Sequence, residues 1–368
     1  MIKSHIAYLA CAAAVVGTGL GAAAPSPGYK THVVQPGQSI QKAVDAARPG
    51  DTVLVTPGTY RESVTISTHG LILRGVGQDT VIKPAKAVVP TTTTAPATQQ
   101  AARRAPVGCA ASGNGICVVG TKDKKVQDVT IASLTVTGFA KSGISALATE
   151  RLTVRNVTAE KNGVWGIAQE QSVRGVFRSN TARQNGDAGL FLANTVSAEE
   201  GAADSHGTVV QRNRLEGNRI GLTVRRLRNL TVERNNVTGN CAGVFVVGDE
   251  NKPRAGKVTV RANRIVKNNK SCPKTPRLPA LQGSGIVLTG TERALVTGNT
   301  ITGNSGTSPL SGGIVLFQSF VGVTNEQNRI SDNVLDGNAP ADLVNTDTGK
   351  GNTFANNSCR ASKPAGLC

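Results

Sequence analysis

The sequence predicts an all-β chain wound as a right-handed parallel β-helix solenoid of about ten coils. Three observations predict it. Asparagines recur five residues apart, at Asn180 and Asn185, Asn213 and Asn218, Asn235 and Asn240, Asn263 and Asn268, Asn299 and Asn304, Asn333 and Asn338, and Asn352 and Asn357. A Gly-apolar pair follows each of several copies: Gly143-Ile144, Gly166-Ile167, Gly189-Leu190, Gly221-Leu222, Gly243-Val244, Gly285-Ile286 and Gly313-Ile314. Finally, 42 glycines beside 3% aromatic residues suit many short strands and tight turns better than one large globular core.

Each Asn pair encloses an apolar residue, such as Leu215, Val237 or Ile265, and a third apolar stretch precedes it, as in Leu152-Thr153-Val154 and Val258-Thr259-Val260. Three short strands per repeat make one triangular coil. The step from Asn213 to Asn235 is the base period, and longer steps mark insertions. A sharp corner needs a left-handed or bridging backbone. Asn tolerates it, and stacked Asn amides can bond from coil to coil. The alternation places Ile144, Ile167, Leu190, Leu222, Val244, Ile286 and Ile314 inward, with Ser145, Ala168, Phe191, Thr223, Phe245, Val287 and Val315 outward.

The β-helix is expected over residues 30–357, opened by an amphipathic helix that places Ile40, Ala43, Val44 and Ala47 on one face as a cap. Residues 84–107, rich in Pro and Thr, read as a flexible loop, and residues 358–368 as a disulfide-tied tail. Residues 1–24 read as a signal peptide, which predicts a secreted, extracellular protein with no membrane association after cleavage. Six cysteines then remain, and proximity pairs Cys109 with Cys117, Cys241 with Cys272, and Cys359 with Cys368. None of these pairs has the Cys-x-x-Cys spacing of a zinc or redox centre.

A formal charge of +18 points to polyanions: an acidic polysaccharide or another cell-wall polymer, with no specific nucleic acid. A monomer is expected.

The stretches Pro36-Gly37-Gln38-Ser39-Ile40-Gln41, Gly50-Asp51-Thr52-Val53, Pro57-Gly58-Thr59-Tyr60-Arg61-Glu62 and Leu73-Arg74-Gly75, together with the Asn repeats, resemble the pectate-lyase-like superfamily. That resemblance implies the fold and a polysaccharide substrate class, but no single chemistry. Gly58-x-Tyr60-x-Glu62 is similar to the opening motif of pectin methylesterases, whose later Asp motifs have no counterpart here. The Asp-Pro-His-Asp box of alginate epimerases does not occur. Copper-accessory β-helix proteins should offer soft ligands, and after residue 24 this chain has three histidines and no methionine. All three identities are disfavoured.

Insertions at 194–207, 248–256, 269–283 and 305–312 predict a loop-walled groove over the strands that follow the glycines. The ionisable candidates there are Glu170, Asp187, Asp204, His206, Arg225 and Asp249, with Phe191, Phe245 and Glu250 as substrate contacts, or with Phe191 and Phe245 packing beneath the loops instead. Two carboxylates would serve glycoside hydrolysis. Alternatively, carboxylates holding Ca²⁺ against a uronate, with Arg225 as base, would serve β-elimination. A competing reading needs no catalysis: Arg155, Arg178, Arg212, Arg234 and Arg261 recur beside the Asn corner as a basic stripe for a polyanion.

Overall fold

The computed structural model describes residues 28–85 and 108–368; the predicted signal peptide and most of the 84–107 loop lie outside that range. The coil winds right-handed, as crossovers between parallel strands do. Three parallel sheets run its length. Sheet A has twelve strands, from Thr31–Val34 to Thr353–Ala355. Sheet B has ten, from Gly58–Arg61 to Val334–Asp336, and sheet C eleven, from Val64–Ile66 to Ser362–Lys363. At about 4.8 Å per stacked strand the rod is about 50 Å long.

Inside the coil, the predicted inward ladder from Ile144 to Ile314 joins Val154, Phe177, Val210 and Val232 of sheet A in one continuous core. The helix Ile40–Ala46 contributes Ile40 and Val44 to that core at its N-terminal end. Tyr60 and Glu62, which carry the methylesterase-like motif, are structural. The Tyr60 hydroxyl donates to the carbonyl of Val34, and the Glu62 carboxylate accepts from the backbone N–H groups of Ile40 and Gln41 at the helix start.

The corners differ from the sequence expectation in one respect. The left-handed residue is the one before the ladder Asn: Ser179, Arg212, Arg234 and Ala262 all have φ between 53° and 55°. The Asn itself is buried and faces along the rod. Asn213 Oδ1 accepts from both the backbone N–H and the Nδ2 of Asn180, while Asn213 Nδ2 donates to Asn235 Oδ1. This chain continues through Asn263, Asn299 and Asn333 to Asn357 at the A–B corner. A second ladder runs from Asn162 through Asn185, Asn218, Asn240, Asn268 and Asn304 to Asn338 at the B–C corner. Burying an amide is costly unless its donors and acceptors are met, and the ladders meet them with neighbouring copies. They also explain the following glycine: a Cβ on Gly166 would lie 2.6 Å from the carbonyl oxygen of Gly189 and 2.8 Å from Asn185 Nδ2.

The three proximity pairs form disulfides: Cys109–Cys117, Cys241–Cys272 and Cys359–Cys368. Among the described residues no helix is long and apolar enough to cross a membrane.

Candidate functional site

The insertions do flank sheet C, but they lie over it rather than beside an open groove. Phe191, Phe245, Val287 and Val315 point outward as expected and form a second apolar cluster with Leu281, Leu310 and the disulfide Cys241–Cys272. Phe245 is 2% exposed and Phe191 6%, so neither offers a ring face to a sugar. The substrate contact is therefore set aside for these two residues and the packing alternative holds: they anchor the loops. Burying their rings and the loop leucines together removes more apolar area than a solvated groove floor would.

Among the described residues the cover thins toward the N-terminal coils. Leu147 is 39% exposed there, and Ser145 and Trp165 are half-buried. Trp165 stacks on Phe191 with ring centroids 4.2 Å apart, and its Nε1–H donates to Asp187 Oδ2 at 3.0 Å. Burial pushes the Asp187 carboxyl above its ordinary range, with the Trp165 hydrogen bond and the charge of Arg219 opposing. Arg219 in turn donates to the carbonyls of Pro273 and Pro279, which hangs the 269–283 insertion on this corner. Trp165 and Arg219 were not among the candidates. A tryptophan immediately before the glycine of a sheet C strand, in a chain with only one, was the available signal.

Across the same strands lies the second polar group. Glu170 accepts from the backbone N–H of Val196 at 3.1 Å, and burial raises its pKa, with Arg225 opposing. Burial lowers the Arg225 pKa. Arg226 and Arg277 push it the same way, while Asp249 and Glu170 resist. Glu170 and Arg225 belong to one column of sheet C, two coils apart.

The other candidates do not join them. Asp187 lies six residues before Ala193, the register partner of Glu170, so up to about 20 Å of strand separates the two carboxylates. Asp249 pairs with the buried Arg226, three coils below Glu170 or about 14 Å away. Glycosidase carboxylate pairs stand about 5–9.5 Å apart, so neither pair serves one glycosidic bond. Glu250 is exposed. Asp204-Ser205-His206 lies on sheet A, in a bulge where the register shifts. Ser205 is buried and donates to the carbonyl of Asn229. Asp204 accepts from the His206 backbone N–H at 2.7 Å and from Asn229, and His206 is half-exposed with φ 50°. The triplet is a solvated bulge rather than a reaction centre.

Raised carboxylates lower stability at neutral pH. Between the ordinary pKa and the raised one, the folded state keeps a proton that the unfolded chain has released, so stability falls as pH rises through that window. Glu170→Gln and Asp187→Asn are each expected to raise Tm at pH 7, with the gain vanishing near pH 3, where both states are protonated. Melting curves at the two pH values check this, and a gain that persists unchanged at low pH would refute it.

Residues 108–255 match the family model described as a right-handed β-helix region, and residues 193–363 match that of a periplasmic copper-binding protein (NosD). No curated protein matches the chain. Among solved structures, the A-module of the Azotobacter vinelandii mannuronan C-5 epimerase AlgE4 superposes with a TM-score of 0.54 at 19% identity, covering 87% of this chain and 90% of that one. An alginate lyase from Paenibacillus sp. str. FPU-7 gives 0.57 at 15% identity, covering 87% and 99%. The Dettilon tailspike protein gives 0.55 at 12% identity, covering 90% and 68%. At such identities the likeness is one of fold. The chain is a right-handed parallel β-helix repeat protein with the pectate-lyase-like fold.

The second match brings forward the copper-accessory family that the ligand count disfavours. The donor set does not fit copper: residues 193–363 hold one histidine, His206, and no methionine, while Cys241, Cys272 and Cys359 are all in disulfides. Among the described residues no group of three or more His, Cys, Asp or Glu side chains is placed to hold a metal ion, so the Ca²⁺ expectation gains no support either.

Proposed function

We propose that this is a carbohydrate-active protein of an oxidising compartment that takes an acidic polysaccharide on the N-terminal part of sheet C. The observation that carries this reading is the pairing of an aromatic platform with charge on one face. Trp165 braced by Phe191 and held by Asp187 lies at one edge, and Glu170 and Arg225, two coils apart in one column, lie at the other. A braced indole suits the apolar face of a sugar ring, and a guanidinium suits a uronate carboxylate. The three disulfides fit secretion. Solved structures of similar fold include an alginate epimerase and an alginate lyase, which supports the substrate class.

Cleavage by β-elimination is the second reading, favoured by the lowered pKa of Arg225, which brings it nearer to acting as a base. One experiment addresses both. Because Trp165 is the single tryptophan, its emission reports directly on this face. Titration with polygalacturonate, alginate and a glycosaminoglycan is expected to give a saturable change with at least one polymer, and Arg225→Ala to weaken it. Absorbance of unsaturated products in the same cuvette tests elimination. An unresponsive Trp165 across the panel would remove the proposal.

A further inference from the structure

We infer that a separate binding surface for a linear uronate polymer runs along the A–B corner and the outer face of sheet B. It rests on the acidic-polysaccharide reading above but uses different residues. Two independent observations meet there. The first is a run of uncompensated cations. Arg155 lies directly opposite Arg178 in the sheet A register, and Arg212 and Arg234 occupy the left-handed corner position of the next two coils. None of the four has an ion-pair partner among the described residues, and three of them are exposed. Other arginines on these two sheets are paired: Arg183 with Glu160, Arg214 with Glu216, and Arg261 with Glu233. Like charges directly opposite in a sheet destabilise it, so the Arg155–Arg178 pair is a standing cost that a bound polyanion would offset. Arg261, neutralised by Glu233, is set apart from the stripe by its partner.

The second observation is a trough of about 520 Å³ immediately beside the stripe, lined among others by Gln78, Thr158, Thr181 and Arg214, with Glu160 in its lining neutralised by Arg183. Thr135, Thr158 and Thr181 stack in register, one per coil; Thr158 and Thr181 present hydroxyls to the trough, while the buried Thr135 hydroxyl donates to Gln78. Hydroxyl groups at the coil spacing beside cations at the same spacing suit a polymer of sugars that carry carboxylates, laid parallel to the rod. The stripe offers a cation every coil, about 4.8 Å. A DNA duplex carries a charge about every 1.7 Å, far denser than the stripe, and a single strand rewards aromatic stacking, yet no aromatic side chain lines the trough. With two separated surfaces the rod can hold one polymer twice, or join two chains.

The test compares three proteins on immobilised polygalacturonate and alginate in a salt gradient: wild type, a variant with Arg155, Arg178, Arg212 and Arg234 all changed to Ser, and a control with the exposed Lys122, Lys124, Lys350 and Lys363 all changed to Ser. Circular dichroism confirms the fold of each. The stripe variant is expected to lose retention roughly ten- to hundredfold, as four exposed ion pairs would predict, and to elute at lower salt. Its Trp165 response to free polymer should stay that of the wild type, because that signal comes from sheet C. Equal losses in stripe and control variants would reduce the effect to net charge and overturn the inference. So would unchanged retention of the stripe variant, or wild-type retention on a DNA duplex matching that on the polyuronates. A silent Trp165 with stripe-dependent retention would remove only the sheet C reading.

Discussion

Replacing Asn235 with Ala is expected to destabilise the protein by about 2–5 kcal/mol, a large loss for one surface-adjacent polar residue. Asn235 Oδ1 accepts from both the backbone N–H and the Nδ2 of Asn213, and its own Nδ2 donates to the Val210 carbonyl and to Asn263 Oδ1. Alanine strands two donors of Asn213 in a site that water does not reach, since Asn213 and Asn235 are 1% and 2% exposed. Each stranded group costs about 1–3 kcal/mol. Asn236, the next residue, is the internal control: its side chain is half-buried and only accepts from Arg264 at 3.3 Å. Asn236→Ala is expected to change stability by less than about 0.5 kcal/mol. Urea unfolding followed by circular dichroism compares the two, and equal midpoints would sink the claim that the ladder holds the coils. A solenoid can unfold in segments, so a broadened transition for Asn235→Ala, split at that coil, is part of the expected result.

Removing the disulfide Cys241–Cys272 by changing both residues to Ser is expected to cost about 3–4 kcal/mol, from the loop-closure entropy of a 31-residue separation. The second consequence is local. The bridge pins the 269–283 insertion onto the outer face of sheet C, where Leu281 packs with Phe245, Val287 and Val315. Freed, the insertion is expected to lift and expose that apolar cluster, which an increase in fluorescence of the dye ANS would report. Changing Cys359 and Cys368, which close a separation of nine residues at the C-terminal end, is expected to cost about 1 kcal/mol less and to leave ANS fluorescence unchanged. Identical dye binding by the two variants would contradict the role given to the insertion as a cover.

These two sites also show what kind of feature can be read along the chain. The five-residue Asn spacing and the glycine after it are local demands of a corner, repeated at every coil, so Asn213, Asn235 and Gly221 are legible from their neighbours alone. The disulfides were legible because each joins cysteines close in sequence. The conformation of the corner was less so. Left-handed backbone falls on Arg212 and Arg234 rather than on the Asn beside them, because the Asn side chain is drawn inward to the ladder.

The candidate carboxylates failed to converge for a related reason. Glu170 and Asp187 lie near each other in sequence but at opposite ends of neighbouring strands, and Asp204 is on another sheet. Coil stacking, and not sequence distance, decides proximity in a solenoid.

The sequence by itself determined the three strands per coil, the inward apolar ladders, the Asn corners, the capping helix and the cysteine pairs, because each depends on contacts within one coil or with the next. Only the tertiary structure decided what the outer faces do. Insertions of irregular length fold back over Phe191 and Phe245 and close the expected groove. Trp165, Asp187, Glu170 and Arg225 are left where the described insertions do not reach, and Glu233 neutralises Arg261 while its neighbours along the stripe have no ion-pair partner among the described residues. Those outcomes depend on where loops of unequal length land after many coils have stacked, and no local pattern in the chain encodes that.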